Sequence, residues 1–404
     1  MASGGAGLYL ARLALSDFRN YARLAWRPGG EDGARIAAIF GPNGGGKTNI
    51  LEAVSLLGGG RGLRLARRLD LARREGGGGF AVVGRFTGGE SDFTVATGVP
   101  APDHAKPAAE PRRVFRLDGA PPPRQGDIAA RVALVWLTPP MERLFQEGAS
   151  GRRRFLDRLV AALETGHGHE LAAQERALAA RARLFRGGRA DPAWLTAIED
   201  AIARHAVAVT AARVSVVRRL NRALGDVTPA GFPPARLDLL CPIAAELAEA
   251  PALAVEAWLR TRLYASRGID RASGQTGIGA HRADFALSDA ARHLPAAQAS
   301  TGEQKAILIG VILGHAALVA ETRGFAPVLL LDEPMVHLDA DRRRALLAAI
   351  AALPAQILLT ATDRETFLPL ADLATGWRCG GGKLATDPAF RRAADASSDP
   401  LPPL

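Results

Sequence analysis

The sequence predicts an α/β fold interrupted by a helical insertion, and three observations carry that prediction. An apolar run at Arg35–Phe40 feeds into the glycine-rich stretch Gly41–Thr48, and a helical apolar period follows in Thr48–Leu57. A second apolar run, Val328–Leu331, ends on the adjacent acids Asp332 and Glu333. Between them, from Arg152 to about Leu224, Ala, Leu, Arg and Glu recur at helical spacing. Strand and helix signals at both ends with a helix-only block between them read as one α/β body carrying an insertion.

Length and composition agree. A chain of 404 residues exceeds one ordinary core. An apolar fraction of 48% suits a globular protein, although abundant Ala inflates it. No stretch of 18 or more uncharged apolar residues appears, and the start lacks the basic-then-apolar layout of a secretory signal. Cys241 and Cys379 are far apart with no CxxC, which argues for a reducing compartment without a disulfide framework or zinc site; the chain reads as cytoplasmic. Of 51 basic residues four are Lys, leaving 51 − 4 = 47 Arg, and the net charge is +10. Such a surface attracts polyanions such as nucleic acid. Arg and Ala enrichment also fits a GC-rich genome, so motifs decide.

In chain order, alternation over Leu8–Leu15 and Ala22–Trp26 predicts two strands before the Arg35–Phe40 strand. The helix from Thr48 breaks at 58–64 (GGGRGLR), strand-like pieces follow at 80–86 and 92–97, and 100–126 is a Pro-rich connection. Val132–Leu137 reads as another buried strand. Two or three long helices then form an arm, with Asp191-Pro192 as a helix start. Pro and Gly interrupt it at 228–234, a helix fits 252–266, and 277–287 returns to strand character. A helix from about 301, a strand at 327–331, a helix at 340–352 and a strand at 356–360 complete the series. The division that follows is 1–150 for the first part of the α/β head, 151–275 for the arm, 276–385 for the rest of the head, and 386–404 for a flexible tail rich in Ser, Asp and Pro.

Gly41, Pro42, Asn43, Gly44, Gly45, Gly46, Lys47 and Thr48 satisfy G-x-x-x-x-G-K-T between a strand and a helix. Glycines let backbone N–H groups close around a β-phosphate at the positive end of the following helix. Lys47 is placed to pair the β- and γ-phosphates of ATP, and the Thr48 hydroxyl to ligate Mg²⁺. Asp332 is the candidate to hold the metal, directly or through water, and Glu333 the candidate to polarise the attacking water. Two acids at the end of a buried strand are costly without a cation nearby.

Ser300-Thr301-Gly302-Glu303-Gln304-Lys305 resembles the signature of ABC-type ATPases, whose Ser and Gly backbone approach a γ-phosphate bound by the other subunit. Ser300 or Thr301 with Glu303 is also a capping box, and both readings hold together. His337-Leu338-Asp339 resembles the D-loop of that family. Thr360–Asp363 stands where transporter ATPases carry a switch His, which argues against a transporter subunit. The signature follows Lys47 by 300 − 47 = 253 residues, and the extra length is the arm. The arm is too short for the long coiled coils of chromosome-maintenance heads and has no hook cysteines.

Nearly end to end, the chain resembles the RecF family of repair ATPases. Phe18-Arg19-Asn20-Tyr21 matches its FRNY, and Asn43, Gly44, Lys47-Thr48-Asn49 and Leu51-Glu52-Ala53 its NGxGKTNxLEA. Gly60-Arg61 with Arg64 is similar to GRSxR, Arg153–Asp157 matches RRxFLD, and Ala280-His281-Arg282 with Asp284 resembles GPHRxD. Ala280 replaces the usual Pro, Thr301 and Glu303 give a variant signature, and Pro140-Met141 stands where an acid is frequent, so no Q-loop residue is assigned. The resemblance implies an ABC-type ATPase head with an inserted helical arm, working as an ATP-dependent homodimer on double-stranded and gapped DNA. It further implies action with RecR and RecO upstream of RecA loading, and weak DNA-stimulated ATP hydrolysis as a release switch. A nuclease-linked repair ATPase is the enzyme-class alternative, but the residues after Thr362 are too few for a nuclease domain. His167 and His169 read as solvated, and Trp136, Trp194 and Trp258 as packing anchors, while Arg61 and Arg64 are open to phosphate or DNA contact.

Overall fold

The computed structural model describes residues 7–30, 33–88, 91–102, 112–124, 126–187, 191–227 and 231–390. They divide into two compact units, one drawn from Met1–Glu142, Pro229–Phe232 and His315–Leu404, the other from Arg143–Thr228 and Pro233–Gly314.

The first unit begins with β1 (Tyr9–Phe18), β2 (Tyr21–Trp26), β3 (Ile36–Phe40), α1 (Lys47–Leu56), α2 (Arg68–Leu71), β4 (Phe80–Thr87), β5 (Phe93–Val99), β6 (Val114–Leu117), α3 (Asp127–Arg131) and β7 (Leu134–Leu137). The second holds α4 (Ala149–Leu163), α5 (His167–Arg186), α6 (Pro192–Val227), β8 (Ala235–Leu240), α7 (Pro242–Glu249), α8 (Ala252–Ala265), α9 (Arg267–Ser273), β9 (Asp284–Asp289), β10 (Leu294–Pro295) and the start of α10 (Thr301–Arg323). The chain then re-enters the first unit with β11 (Val328–Leu331), α11 (Ala340–Ala352), β12 (Ile357–Ala361), β13 (Ala374–Gly380) and β14 (Lys383–Thr386).

In the first unit a six-stranded sheet runs β14-β13-β3-β12-β11-β7, parallel except for the edge strand β14. Its central strands are covered on both faces, so β3, β11 and β12 are buried throughout and read as unbroken apolar runs instead of alternating ones. Because β12 lies between β3 and β11, the carboxyl ends of all three open on one edge of the sheet. Crevices for ligands form at such edges. A five-stranded antiparallel sheet, β2-β1-β4-β5-β6, shares one core with it, and α1 buries Ile50, Leu51 and Val54 there.

The helical unit has its own core, built on Ile202, Ala206, Val209, Leu259 and Leu263. Its long helix α6 has 36 residues, or about 54 Å of rise. Two family-like segments meet here. Arg152 grips Asp284 with two bonds of 2.8 and 2.6 Å, Arg153 donates to the Ala283 carbonyl at 2.8 Å, and Phe155 stacks on Phe285. Arg213 closes a second fork on Asp157 at 2.8 and 2.9 Å, and His167 meets the same carboxylate at 2.9 Å.

Burial pushes the Asp157 carboxyl up, but the hydrogen bonds from His167 and Arg213 outweigh it and hold the group below the ordinary aspartate range. Asp284 is held low chiefly by its hydrogen bond from Arg152. Both acids bind protons less tightly when folded. Their contribution is therefore complete above the usual carboxylate range near about pH 4 and is lost as pH falls through the lowered folded values. The thermal midpoint should begin to drop below about pH 4 and go on dropping as pH falls, and Asp284→Asn should make that drop shallower. An unchanged slope in the variant contradicts the Arg152–Asp284 account.

Several expectations are corrected. His167 is buried against Asp157, not solvated, whereas His169 lies in solvent as expected. Trp194 is 60% exposed and so is no packing anchor, whereas Trp258 packs against the helical core and Trp136 against that of the first unit. The 277–287 stretch is a 3-10 turn at Ala280–Arg282 followed by β9. Residues 276–314 pack with the helical unit, so the boundary falls inside α10, later than the division at 275. Helix α10 is long and apolar enough to cross a membrane by length and composition, yet 78% of its most apolar stretch is buried inside the protein, as a core helix would be. The Pro-rich connection contains β6, and its residues 103–111 and 125 lie outside the described residues. Of the tail, 391–404 lie outside them too, while Phe390 is buried and stacks on Phe40.

Candidate functional site

At the carboxyl end of β3 the chain turns through Gly41, Gly44 and Gly46, with φ of 150°, 78° and 111°. Glycine tolerates such angles where other residues are strained. A Cβ at Gly41 would lie 2.1 Å from the Cys379 carbonyl oxygen, and one at Gly46 2.5 Å from the Asn20 amide nitrogen. The turn delivers Lys47 and Thr48 to the first turn of α1. The buried Lys47 ammonium donates to the carbonyls of Gly41 at 2.7 Å and Pro42 at 3.2 Å, and lies 3.5 Å from Glu333 Oε1.

From β11, Asp332 Oδ1 accepts from Thr48 Oγ1 at 2.9 Å and from Thr360 Oγ1, on β12, at 2.8 Å. Burial pushes the Asp332 carboxyl above its ordinary range, against the hydrogen bonds from Thr360 and Thr48 and the charges of Arg64 and Lys47. A buried carboxylate beside a threonine hydroxyl is a set of hard oxygen donors that suits a small divalent cation. Glu333 follows at φ 49°, a left-handed backbone uncommon outside glycine, and its N–H donates to Thr360 Oγ1 at 3.0 Å. Beyond it His337 also has a positive φ, 64°, with Nδ1 3.2 Å from Glu142 Oε2, and Asp339 caps α11 by accepting from the Arg342 N–H at 2.8 Å. Glu142 follows β7, the neighbour of β11, in the region where no Q-loop residue was assigned.

Ser300 opens α10 with a reciprocal cap: its N–H and hydroxyl each donate to Glu303 Oε2 at 3.0 Å, and the Glu303 N–H returns to Ser300 Oγ at 3.4 Å. The Arg292 hydrogen bond, with those from Ser300, holds the Glu303 carboxyl down at about 2. Lys47, Thr48, Asp332 and Glu333 thus meet at one edge of one sheet. Ser300 and Gly302 belong to the helical unit.

No protein-family model matches the chain. The DNA replication and repair protein RecF of Mesorhizobium japonicum is 42% identical to it over 364 residues, covering 90% of this chain and 93% of that protein. RecF of Rhizobium etli is 39% identical over 376 residues, covering 93% and 98%. The chain belongs to the RecF family. Solved structures of the recombination mediator protein RecF in the RecFOR pathway, as RecF-ATPrS and RecF-ATP, match with TM-scores of 0.80 and 0.79 at 21% identity, over 95% and 94% of this chain and 99% of theirs. An Smc head bound to the C-winged helix domain of ScpA matches at 0.52 with 15% identity, over 94% of this chain and 97% of its own. The fold is that of an ABC-type ATPase head.

The family-like segments of the first unit, Phe18–Tyr21, Asn49 with Glu52, and Arg64, assemble behind the glycine loop. A tight β1–β2 turn, with Arg19 at φ 54°, presents three side chains in a row. Arg19 forks onto the buried Glu52 of α1 at 2.8 and 2.7 Å. Asn20 donates to the Gly45 carbonyl at 3.2 Å and accepts from Asn49 at 2.8 Å, and Tyr21 OH donates to the Gly46 carbonyl at 3.2 Å. Arg64 closes the group through Asn49 at 2.7 Å and Glu52 at 3.3 Å, so here it braces α1. The available signal was three adjacent hydrogen-bonding side chains at a hairpin tip, too short to assign alone.

Proposed function

We propose that this RecF-family chain is an ATP-dependent DNA-binding protein of recombinational repair and replication restart. On this reading it is a cytoplasmic, ATP-gated dimer that holds duplex DNA near single-strand gaps and supports RecA loading with RecR and RecO. The observation that carries the reading is the convergence of Lys47, Thr48, Asp332 and Glu333 on one sheet edge. The names of the relatives, DNA replication and repair proteins and structures with ATP, point the same way.

The residues take distinct roles. The backbone N–H groups of Gly44, Gly46, Lys47 and Thr48 receive the β-phosphate, helped by the positive end of α1. Lys47 leaves the Gly41 and Pro42 carbonyls and Glu333 to pair the β- and γ-phosphates. Thr48 and Asp332 are the residues that would hold Mg²⁺, which supplies charge neutralisation across the phosphates. Glu333, released from Lys47, orients and deprotonates the attacking water. Ser300 and Gly302 offer a helix N-terminus to the γ-phosphate of the other subunit, so slow hydrolysis opens the dimer and releases DNA.

The helical unit has 23 Lys and Arg against 17 Asp and Glu, 23 − 17 = +6 of the chain's +10. Binding through Arg–phosphate contacts releases counterions, so affinity for a gapped duplex should fall at least about tenfold from 50 to 200 mM salt and strengthen with ATP. Fluorescence anisotropy on gapped and intact duplexes of unrelated sequence checks this. Salt-independent affinity, or binding confined to one sequence, contradicts it.

A further inference from the structure

We infer that Asn20, Tyr21 and Cys379 are positioning residues for phosphate binding, which hold the glycine loop from behind and aim its N–H groups forward. The inference rests on the ATP reading of the loop given above.

Three donors from two segments of the first unit point at two consecutive carbonyls. The Asn20 amide donates to Gly45 O at 3.2 Å and the Cys379 thiol to the same oxygen at 3.3 Å. The Tyr21 hydroxyl donates to Gly46 O at 3.2 Å and lies 3.3 Å from Cys379 Sγ. In a trans peptide the C=O and the following N–H point in opposite directions. Anchoring Gly45 O therefore sets the Gly46 N–H, and anchoring Gly46 O, which also accepts from the Ile50 N–H of α1 at 3.2 Å, sets the Lys47 N–H. Both N–H groups are then presented to the side a phosphate would occupy, before any ligand arrives.

The backing is rigid. Tyr21 is fully buried, and Cys379 lies in β13, which pairs with β3 immediately before the loop. Both ends of the Asn20 amide are engaged, since its oxygen accepts from Asn49, and this fixes which way the amide faces. The approach is closest at the glycines. A Cβ at Gly41 or Gly45 would lie 2.1 or 3.0 Å from the Cys379 carbonyl oxygen, and one at Gly46 2.6 Å from the Tyr21 hydroxyl. Space-filling alone would be served by Phe, Leu and Ala. What these side chains add is two protons for the Gly45 carbonyl and, beside that of the Ile50 N–H, a second for the Gly46 carbonyl, and pre-set donors bind an anion without the ordering cost a floppy loop incurs.

Full-length wild-type protein and the Tyr21→Phe, Asn20→Leu, Cys379→Ala and Cys379→Ser variants are titrated with Mg²⁺-ATP and Mg²⁺-ADP by calorimetry, and each is melted without nucleotide. Tyr21→Phe keeps the ring and should weaken ATP and ADP by the same factor, about fivefold to tenfold. Asn20→Leu should match it, with nucleotide-free thermal midpoints near that of wild type. Cys379→Ser, which keeps a donor, should bind more tightly than Cys379→Ala. Wild-type affinity in both Tyr21→Phe and Asn20→Leu overturns the inference, as does a loss matched by a lowered thermal midpoint without nucleotide. Should wild-type protein itself fail to bind ATP, the ATP reading falls and takes the inference with it.

Discussion

Lys47→Ala is expected to lose ATP affinity by about 100-fold or more, while Lys47→Arg keeps most of the binding and stops hydrolysis. The ammonium is buried at the mouth of α1, where two backbone carbonyls and Glu333 hold it. A charge-assisted contact in such a site contributes about 1.5–3 kcal/mol, and about 2.7 kcal/mol is a 100-fold change in affinity. Alanine also removes the ammonium 3.5 Å from Glu333 Oε1, leaving that acid beside the incoming phosphates. Arginine restores the charge, but its planar fork is wider than an ammonium and cannot sit between the carbonyls of Gly41 and Pro42. Calorimetric titration with Mg²⁺-ATP and a phosphate-release assay separate the two effects. Wild-type ATP affinity in Lys47→Ala contradicts the assignment of the loop.

Ser300→Arg should abolish ATP-dependent dimerisation and hydrolysis while ATP binding by the monomer stays close to wild type. Ser300 caps α10, whose N-terminus is a site for an anion, yet it belongs to a different compact unit from the Lys47 loop. In ABC-type heads the signature acts on the nucleotide of the other subunit, which gives a two-fold, self-complementary interface that needs the γ-phosphate to close. An arginine there removes the reciprocal cap with Glu303 and puts bulk where the facing chain must approach. Glu333→Gln should do the reverse and accumulate closed dimer, with hydrolysis reduced by about 10²–10⁴, since the γ-phosphate remains and the base is gone. Loss of ATP binding by Ser300→Arg monomer would sink this account.

What could be read from sequence follows the physics of each element. Burial on both faces makes β3, β11 and β12 plain apolar runs, and the glycine turn and paired acids at their ends single out Lys47, Thr48, Asp332 and Glu333 from sequence alone. The helices of the arm announce themselves by period. By contrast β13 is interrupted by Gly376, where a Cβ would lie 2.2 Å from the Phe390 ring, so its pattern is not that of a strand. Cys379 was accordingly read only as a lone thiol. The roles of Asn20, Tyr21, Glu52 and Arg64 depend on partners far along the chain, which no local period records. His167 was misread for the same reason: its burial comes from Asp157 across a helix break, while its own GHGH neighbourhood looks solvated.

Sedimentation velocity of the wild-type chain with and without ATP, alone and on gapped duplex, tests the central claim most directly. The account predicts a monomer without nucleotide, a dimer with ATP, and tight DNA association only in the dimer, with Ser300→Arg remaining monomeric throughout. A wild-type chain that stays monomeric with ATP, or that binds the gapped duplex equally well as a monomer without it, would contradict the account.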